Sequence, residues 1–337
     1  MTPAQAALTA GWATLAHGIP GSREWRAMRL DIPHALAIFA AVREDDGTRA
    51  ILFECPIAAA PPWRVRFESE GLALVDERDV REQVMRVALV LERQDLESIV
   101  LVIAEDLINS SQPEKIPLPA VAAIAERLLA WQTCLKVRRE GLSYQRMLGL
   151  FGELVVMERI AAFSRLDLIV PRWTGPDRGI HDFEREGQAI EVKTSSGLAG
   201  LVNVTALEQL DNSGLGVLTL CRVAVVRDDD GEDLRQVVAR IRAETDRFGH
   251  GVRQALDRGL LLSGYIDAGV VADGLEKLSV VAVEGYDVRE GFPRLTSQTV
   301  SPGIVAVEYR LDLASAARHR MSAADLDGVF NRFATGG

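Results

Sequence analysis

Asp182, Glu191 and Lys193 are the residues whose types and spacing point most directly to chemistry. The stretch Gln188–Ser195 reads Gln-Ala-Ile-Glu-Val-Lys-Thr-Ser. A strand alternates its side chains, so Ala189, Glu191, Lys193 and Ser195 share one face and Ile190, Val192 and Thr194 the other. One face can enter a core while the other presents a carboxylate beside an ammonium. Asp182 comes nine residues before Glu191, on the facing strand of a predicted hairpin. Two carboxylates converging from adjacent strands suit Mg²⁺, a hard cation that takes oxygen ligands and keeps several waters. Such a cation polarises a phosphoryl group and helps to generate hydroxide, with Lys193 positioning that nucleophile or stabilising charge.

A Glu-x-Lys on a strand is more often a solvated ion pair, so the motif needs support. Composition supplies some. The chain of 337 residues has 34 arginines and four lysines, Lys115, Lys136, Lys193 and Lys277. Lysine's compact ammonium fits a tight site, which makes a lysine within an apolar strand of an arginine-rich chain a pointed choice. Glu153 adds more. It sits in Leu148-Gly149-Leu150-Phe151-Gly152-Glu153-Leu154-Val155-Val156-Met157, on a helical stripe otherwise apolar or small. Burying an acid there is costly without a cation or metal; pairing with Arg146 or Arg172 at the core margin is the competing reading. Gly149 and Gly152 would let this helix approach another backbone closely. The loop Trp173-Thr174-Gly175-Pro176, leading into His181-Asp182-Phe183, either turns tightly around a core tryptophan or shapes the site's edge.

The elements around these residues follow from periodicity and turn signals. Residues 1–112 read as a β-rich N-terminal domain, with strands at Ala35–Val42, Arg49–Cys55, Gly71–Val75, Val84–Leu91 and Ser98–Ile108 and turn signals at Asp45-Asp46-Gly47 and Pro61-Pro62. Helices are predicted at Pro117–Val137 and, after Gly141 with Ser143 as N-cap, to about Phe163. A hairpin of Gly179–Glu184 and Gln188–Thr194 turns at Arg185-Glu186-Gly187. There follow a helix near Val204–Asp211, a buried strand Val217–Val226, helices Glu232–Phe248 and Gly251–Leu262, strands near Leu278–Val288 and Gly303–Leu313, and a helix Ala323–Phe333. Helix, strand, strand, helix, strand from Ser143 to Val226 predicts an α/β core within a second domain, residues 113–337.

With Gly152-Glu153-Leu154, Trp173-x-Gly175-Pro176, His181-Asp182-Phe183 and Ile190-Glu191-Val192-Lys193-Thr194 in this order, the chain resembles the PD-(D/E)XK nuclease superfamily. More closely, it resembles a bacterial family of unassigned function grouped there, whose genes often neighbour phage-defence systems. The resemblance covers about residues 140 to 225, and most of the chain in the closer family. It implies an α+β, restriction-endonuclease-like αβββαβ core. It makes Asp182, Glu191 and Glu153 metal ligands, Lys193 the catalytic lysine, and Gln209 a polar position on the following helix that faces the same site. Arg172 and Arg178 become candidate nucleic-acid contacts. Mg²⁺ is the implied cofactor, with Mn²⁺ as substitute, and DNA, ahead of RNA, the implied substrate. His181 stands where the family usually has proline.

Bulk properties bound the alternatives. A net charge of −10 is unusual for a nucleic-acid binder, but Lys136–Lys193 carries ten basic against nine acidic residues. The acidic balance of the whole chain favours the rival reading, a catalytically quiet nuclease-fold scaffold or DNA-recognition subunit of a defence complex. The first 20 residues show no secretory signal and no apolar run is long enough to span a bilayer, so a soluble protein without a membrane partner is expected. Three scattered cysteines without a CxxC favour a cytoplasmic setting. His34 and His250 are not in ligand spacing with His181, and no G-x-S-x-G or Walker A sequence is present. Any ATP dependence would come from a partner ATPase of the defence system, and a homodimer would supply two sites for cutting both strands.

Overall fold

In the computed structural model, described for residues 1–18, 24–59, 67–69, 71–139, 144–197, 199–266 and 276–336, the chain divides into two compact units at residues 140/141. The Pro61-Pro62 turn and the Ser143 cap expected from the sequence lie outside the described residues.

The first unit begins with helix α1 (Pro3–Ala16), started by Thr2 and Gln5 in a reciprocal capping box with proline in the first turn. Strands β1 (Trp25–Arg29), β2 (Ala37–Arg43), β3 (Arg49–Pro56), β4 (Glu68–Ser69), β5 (Leu72–Asp79) and β6 (Val84–Leu91) form one antiparallel sheet in the order β1-β2-β3-β6-β5-β4. Trp12 anchors α1 to this sheet by donating its indole N–H to the Ala50 carbonyl at 2.9 Å. Helices α2 (Glu97–Ser111) and α3 (Pro117–Arg139) complete the unit.

Two expectations are corrected here. The segment Ser98–Ile108 is helical, because Val100, Ile103, Ala104, Leu107, Ile108 and Ser111 bury one helical stripe that a run of β-branched residues disguises. The boundary falls after α3 rather than at 112/113. Asp106 of α2 accepts hydrogen bonds from Arg127 (2.7 Å) and Trp131 (2.6 Å) of α3, joining that helix to the first unit.

The second unit comprises α4 (Tyr144–Ala161), α5 (Leu166–Ile169), β7 (Phe183–Arg185), β8 (Gln188–Ser196), β9 (Leu201–Val204), β10 (Val217–Glu232), α6 (Leu234–Thr245), α7 (His250–Leu262), β11 (Leu278–Asp287), β12 (Tyr309–Asp312) and α8 (Ala323–Thr335). Its main sheet runs β11-β10-β8-β7, with β8 and β10 parallel and the outer pairs antiparallel. The two faces of β8 enter different cores. Ile190 and Val192 pack with Leu154, Met157 and Val223 beneath α4, whereas Ala189 packs with Leu218, Leu220, Val202 and Leu311.

The expected αβββαβ order is modified in two places. The third strand, β9, pairs with β12 in a separate two-stranded sheet. The helix expected at Val204–Asp211 is only a 3₁₀ turn, Leu207–Leu210. The architecture is mixed α+β. Among the described residues no helix is long and apolar enough to cross a membrane.

Candidate active site

The site gathers at the edge of β8 where β7 ends. The hairpin turn places Glu186 and Gly187 at φ 44° and 80°, the positive values that a two-residue connection between twisted strands demands. Pairing then runs from Arg185 opposite Gln188 to Phe183 opposite Ile190. Asp182 therefore precedes β7 instead of lying within it. Beyond the paired residues, the N–H of Val192 donates to Asp182 Oδ2 at 2.7 Å. The Asp182 carbonyl accepts from Thr174 N (2.9 Å) and Gly175 N (3.2 Å). The aspartate is fixed from both sides.

Glu153 reaches the same edge from α4. Gly152 allows this, since a Cβ built there would lie 1.8 Å from Thr194 Oγ1 on β8. Helix and strand can touch only through a residue without a side chain. Gly149 has no such role, because a Cβ there would meet nothing within 4 Å. The Glu153 carboxylate accepts from the Trp173 indole N–H at 2.8 Å, not from Arg172. Trp173 lies in the core against Gly259 of α7, where a Cβ would come within 2.5 Å of its ring. It thus both packs and holds the glutamate, a role the sequence left open. Gly175 marks the convergence of the two acids: its Cβ position is 2.9 Å from Asp182 Oδ1 and 3.4 Å from Glu153 Oε2.

On the other face of β8, Glu191 is 2% exposed. Its Oε1 accepts from Lys193 Nζ at 2.8 Å, while Oε2 is buried with no hydrogen-bond partner among the described residues. Lys193 also donates to Gln209 Oε1 at 3.1 Å, and that oxygen accepts from Thr205 N (3.0 Å) and Oγ1 (3.3 Å). Gln209 thus faces the site from a 3₁₀ turn rather than from a helix.

The remaining candidates stand apart. The Arg172 guanidinium turns back onto the Leu168 carbonyl. Arg178 is exposed, at φ 62° in the loop between Thr174 and Asp182. His181 is buried and bonds Glu184 Oε1 through both its backbone N–H and Nδ1.

Electrostatics follow from three acids crowded around one ammonium. Burial, reinforced by the neighbouring Asp182 charge, pushes Glu153 well above the usual carboxylate range. Burial and Asp182 raise Glu191 to about 8 against the opposing pull of Lys193. Burial lifts Asp182 to about 6, opposed by the Val192 N–H and Lys193.

Among the described residues no group of three or more His, Cys, Asp or Glu side chains is arranged so that it could hold a metal ion. The donors nevertheless fit a hard divalent cation that retains waters. They are carboxylate oxygens beside one ammonium, and one of them, Glu191 Oε2, is buried with no hydrogen-bond partner among the described residues.

A stability consequence has a definite sign. A carboxyl that binds its proton more tightly in the folded than in the unfolded chain makes stability fall as pH rises between the two pKa values. The metal-free protein is therefore expected to lose thermal stability as pH rises from about 4 to about 8. Glu191→Gln should flatten the upper part of this decline. Unfolding followed against pH in a chelator checks it, and a melting temperature that climbs over the window would refute the raised values. Because a cation displaces these protons, Mn²⁺ should stabilise more at pH 8 than at pH 6.

A sequence-family model described as "Putative PD-(D/E)XK family member, (DUF4420)" matches residues 8–314. The chain belongs to this family. No curated protein and no solved structure matches it. The family span extends across most of both units.

Proposed function

We propose that the chain is a divalent-cation-dependent nuclease that hydrolyses phosphodiester bonds, in DNA ahead of RNA, as part of a bacterial phage-defence or restriction-type system. One observation carries the reading: Glu153, Asp182 and Glu191 approach one another from a helix, a loop and a strand, with the ammonium of Lys193 bonded beside them.

In this reading Asp182 and Glu191, with Glu153, hold Mg²⁺ or Mn²⁺. The cation, when bound, supplies Lewis-acid activation of the phosphoryl group and of a water. Lys193 places a positive charge where the phosphoryl oxygens gain negative charge, worth about 10²–10³ in rate for one well-aimed donor. Gln209, a neutral acceptor, would keep Nζ aimed if Glu191 bound the cation. Water adds hydroxide to phosphorus, the P–O bond to the leaving oxygen breaks, and that oxygen gains the proton. Exposed Arg178 offers a phosphate contact at the rim, and Arg172 would have to leave Leu168 to act likewise. The cytoplasm is the proposed setting, since all three cysteines are buried and form no disulfide among the described residues.

The test is cleavage of plasmid and single-stranded DNA with Mg²⁺ or Mn²⁺, comparing wild type with Asp182→Ala and Lys193→Ala. Wild-type cleavage lost in both variants is expected. Wild type inert alone and with its neighbouring gene products would sink the proposal. The net charge of −10 favours a second reading, a quiet nuclease-fold subunit whose partners supply the basic DNA surface. DNA binding by such a complex with no cleavage would identify it.

A further inference from the structure

We propose that Arg294 is a positioning residue that fixes Lys193 through Gln209. Its consequence for catalysis rests on the nuclease reading, but its geometry does not. Arg294 lies in the segment after β11. Its Nη1 donates to the Leu210 carbonyl and its Nη2 to Asn212 Oδ1 at 2.8 Å. Those acceptors bracket the end of the 3₁₀ turn Leu207–Leu210 that carries Gln209.

The start of the turn is tied to the same C-terminal stretch. Leu295 N donates to the Tyr309 hydroxyl at 3.2 Å, and Tyr309 of β12 pairs with Val204, the residue before Thr205. Thr205 in turn donates to Gln209 Oε1. A four-residue 3₁₀ turn has little stability of its own, and this one has no side-chain cap at its N-terminus. Gln209 is therefore aimed at Lys193 by contacts that residues 294–309 make at both ends of the turn.

This bracing matters because Lys193 has two acceptors, Glu191 Oε1 and Gln209 Oε1. If Glu191 commits its oxygens to a cation, Gln209 is the acceptor that remains. Guanidinium suits the clamp, since its planar fork reaches the carbonyl and the amide oxygen together, which a lysine ammonium on a flexible stem does not reproduce.

The chain's four lysines make the test selective. Folded full-length protein is acylated with limiting acetic anhydride and each lysine is quantified by mass spectrometry. Arg294→Gln is expected to raise labelling of Lys193 by about three- to tenfold, the range opened by loss of one hydrogen bond, with Lys115, Lys136 and Lys277 unchanged. Arg294→Lys should fall between. Should Arg294→Gln not fold, Asn212→Ala removes one acceptor of the clamp and should give a smaller, equally Lys193-specific rise.

Unchanged Lys193 labelling, or a rise shared by all four lysines, overturns the proposal. Where wild type cleaves DNA, Arg294→Gln should lower kcat by about 10- to 100-fold, as for a misplaced catalytic group, with KM little changed. A Lys193-specific rise in a protein that cleaves nothing would sink the nuclease reading and leave the clamp standing.

Discussion

Asp182→Asn is expected to abolish metal-dependent DNA cleavage, by about a thousandfold or more, while the protein folds normally. The reason lies in the two tasks of this side chain. Its Oδ2 satisfies the N–H of Val192 and its Oδ1 points to the space shared with Glu153. Asparagine keeps an acceptor for Val192 but removes the charge that a cation needs. Alanine removes both and leaves a backbone donor without its partner, costing about 1–3 kcal/mol. The two variants should therefore be equally inactive yet differ in stability, with asparagine the more stable. Plasmid cleavage and urea unfolding, run side by side, check the pair. Asparagine retaining cleavage within tenfold of wild type would remove Asp182 from the chemistry.

The second large effect comes from a residue with no chemistry of its own. Gly152→Ala is expected to destabilise the protein by about 1–3 kcal/mol, the usual cost of overpacking, and to suppress cleavage by moving Glu153. The added methyl would sit 1.8 Å from Thr194 Oγ1 and 3.1 Å from its Cβ, so Thr194 must turn away or α4 must lift from β8. Thr194 offers the rescue, because its hydroxyl is buried with no hydrogen-bond partner and its removal forfeits none. Thr194→Ala in the Gly152→Ala background should recover a large part of both stability and cleavage. A double variant no better than Gly152→Ala would show that the helix approach is not what limits the site.

The legible parts of the molecule were those in which local pattern and tertiary burial agree. Alternation along Gln188–Ser195 separated Glu191 and Lys193 from Ile190 and Val192, and the two faces do differ: Ile190 and Val192 enter one core and Ala189 another. An acid on an apolar stripe singled out Glu153. Periodicity failed at Ser98–Ile108, where Ile99-Val100-Leu101-Val102-Ile103 reads as a buried strand until the helical repeat through Ser111 is followed. At α1 the β-rich reading of the N-terminal residues does not hold, because Thr2, Pro3 and Gln5 spell a helix start.

Other features have no local signature. That β9 leaves the main sheet depends on β12, more than a hundred residues later. Nothing near Trp173 announces that Gly259 will make room for its ring, or that its indole will hold Glu153. The bracing of Gln209 by Arg294 is equally a property of the folded chain. Long-range packing decides these contacts, and a periodicity argument cannot reach them.

On the proposed nuclease reading, Asp182 and Glu191 hold one divalent cation beside Lys193, with Glu153 facing it. Anomalous diffraction from crystals grown with Mn²⁺ at pH 8 tests it most directly, above the raised range of Asp182 and at that of Glu191. The expected result is a single peak at about 2 Å from oxygens of Asp182 and Glu191, facing Glu153. No peak there at saturating Mn²⁺, or Glu191 still bonded to Lys193 with the cation elsewhere, would contradict it.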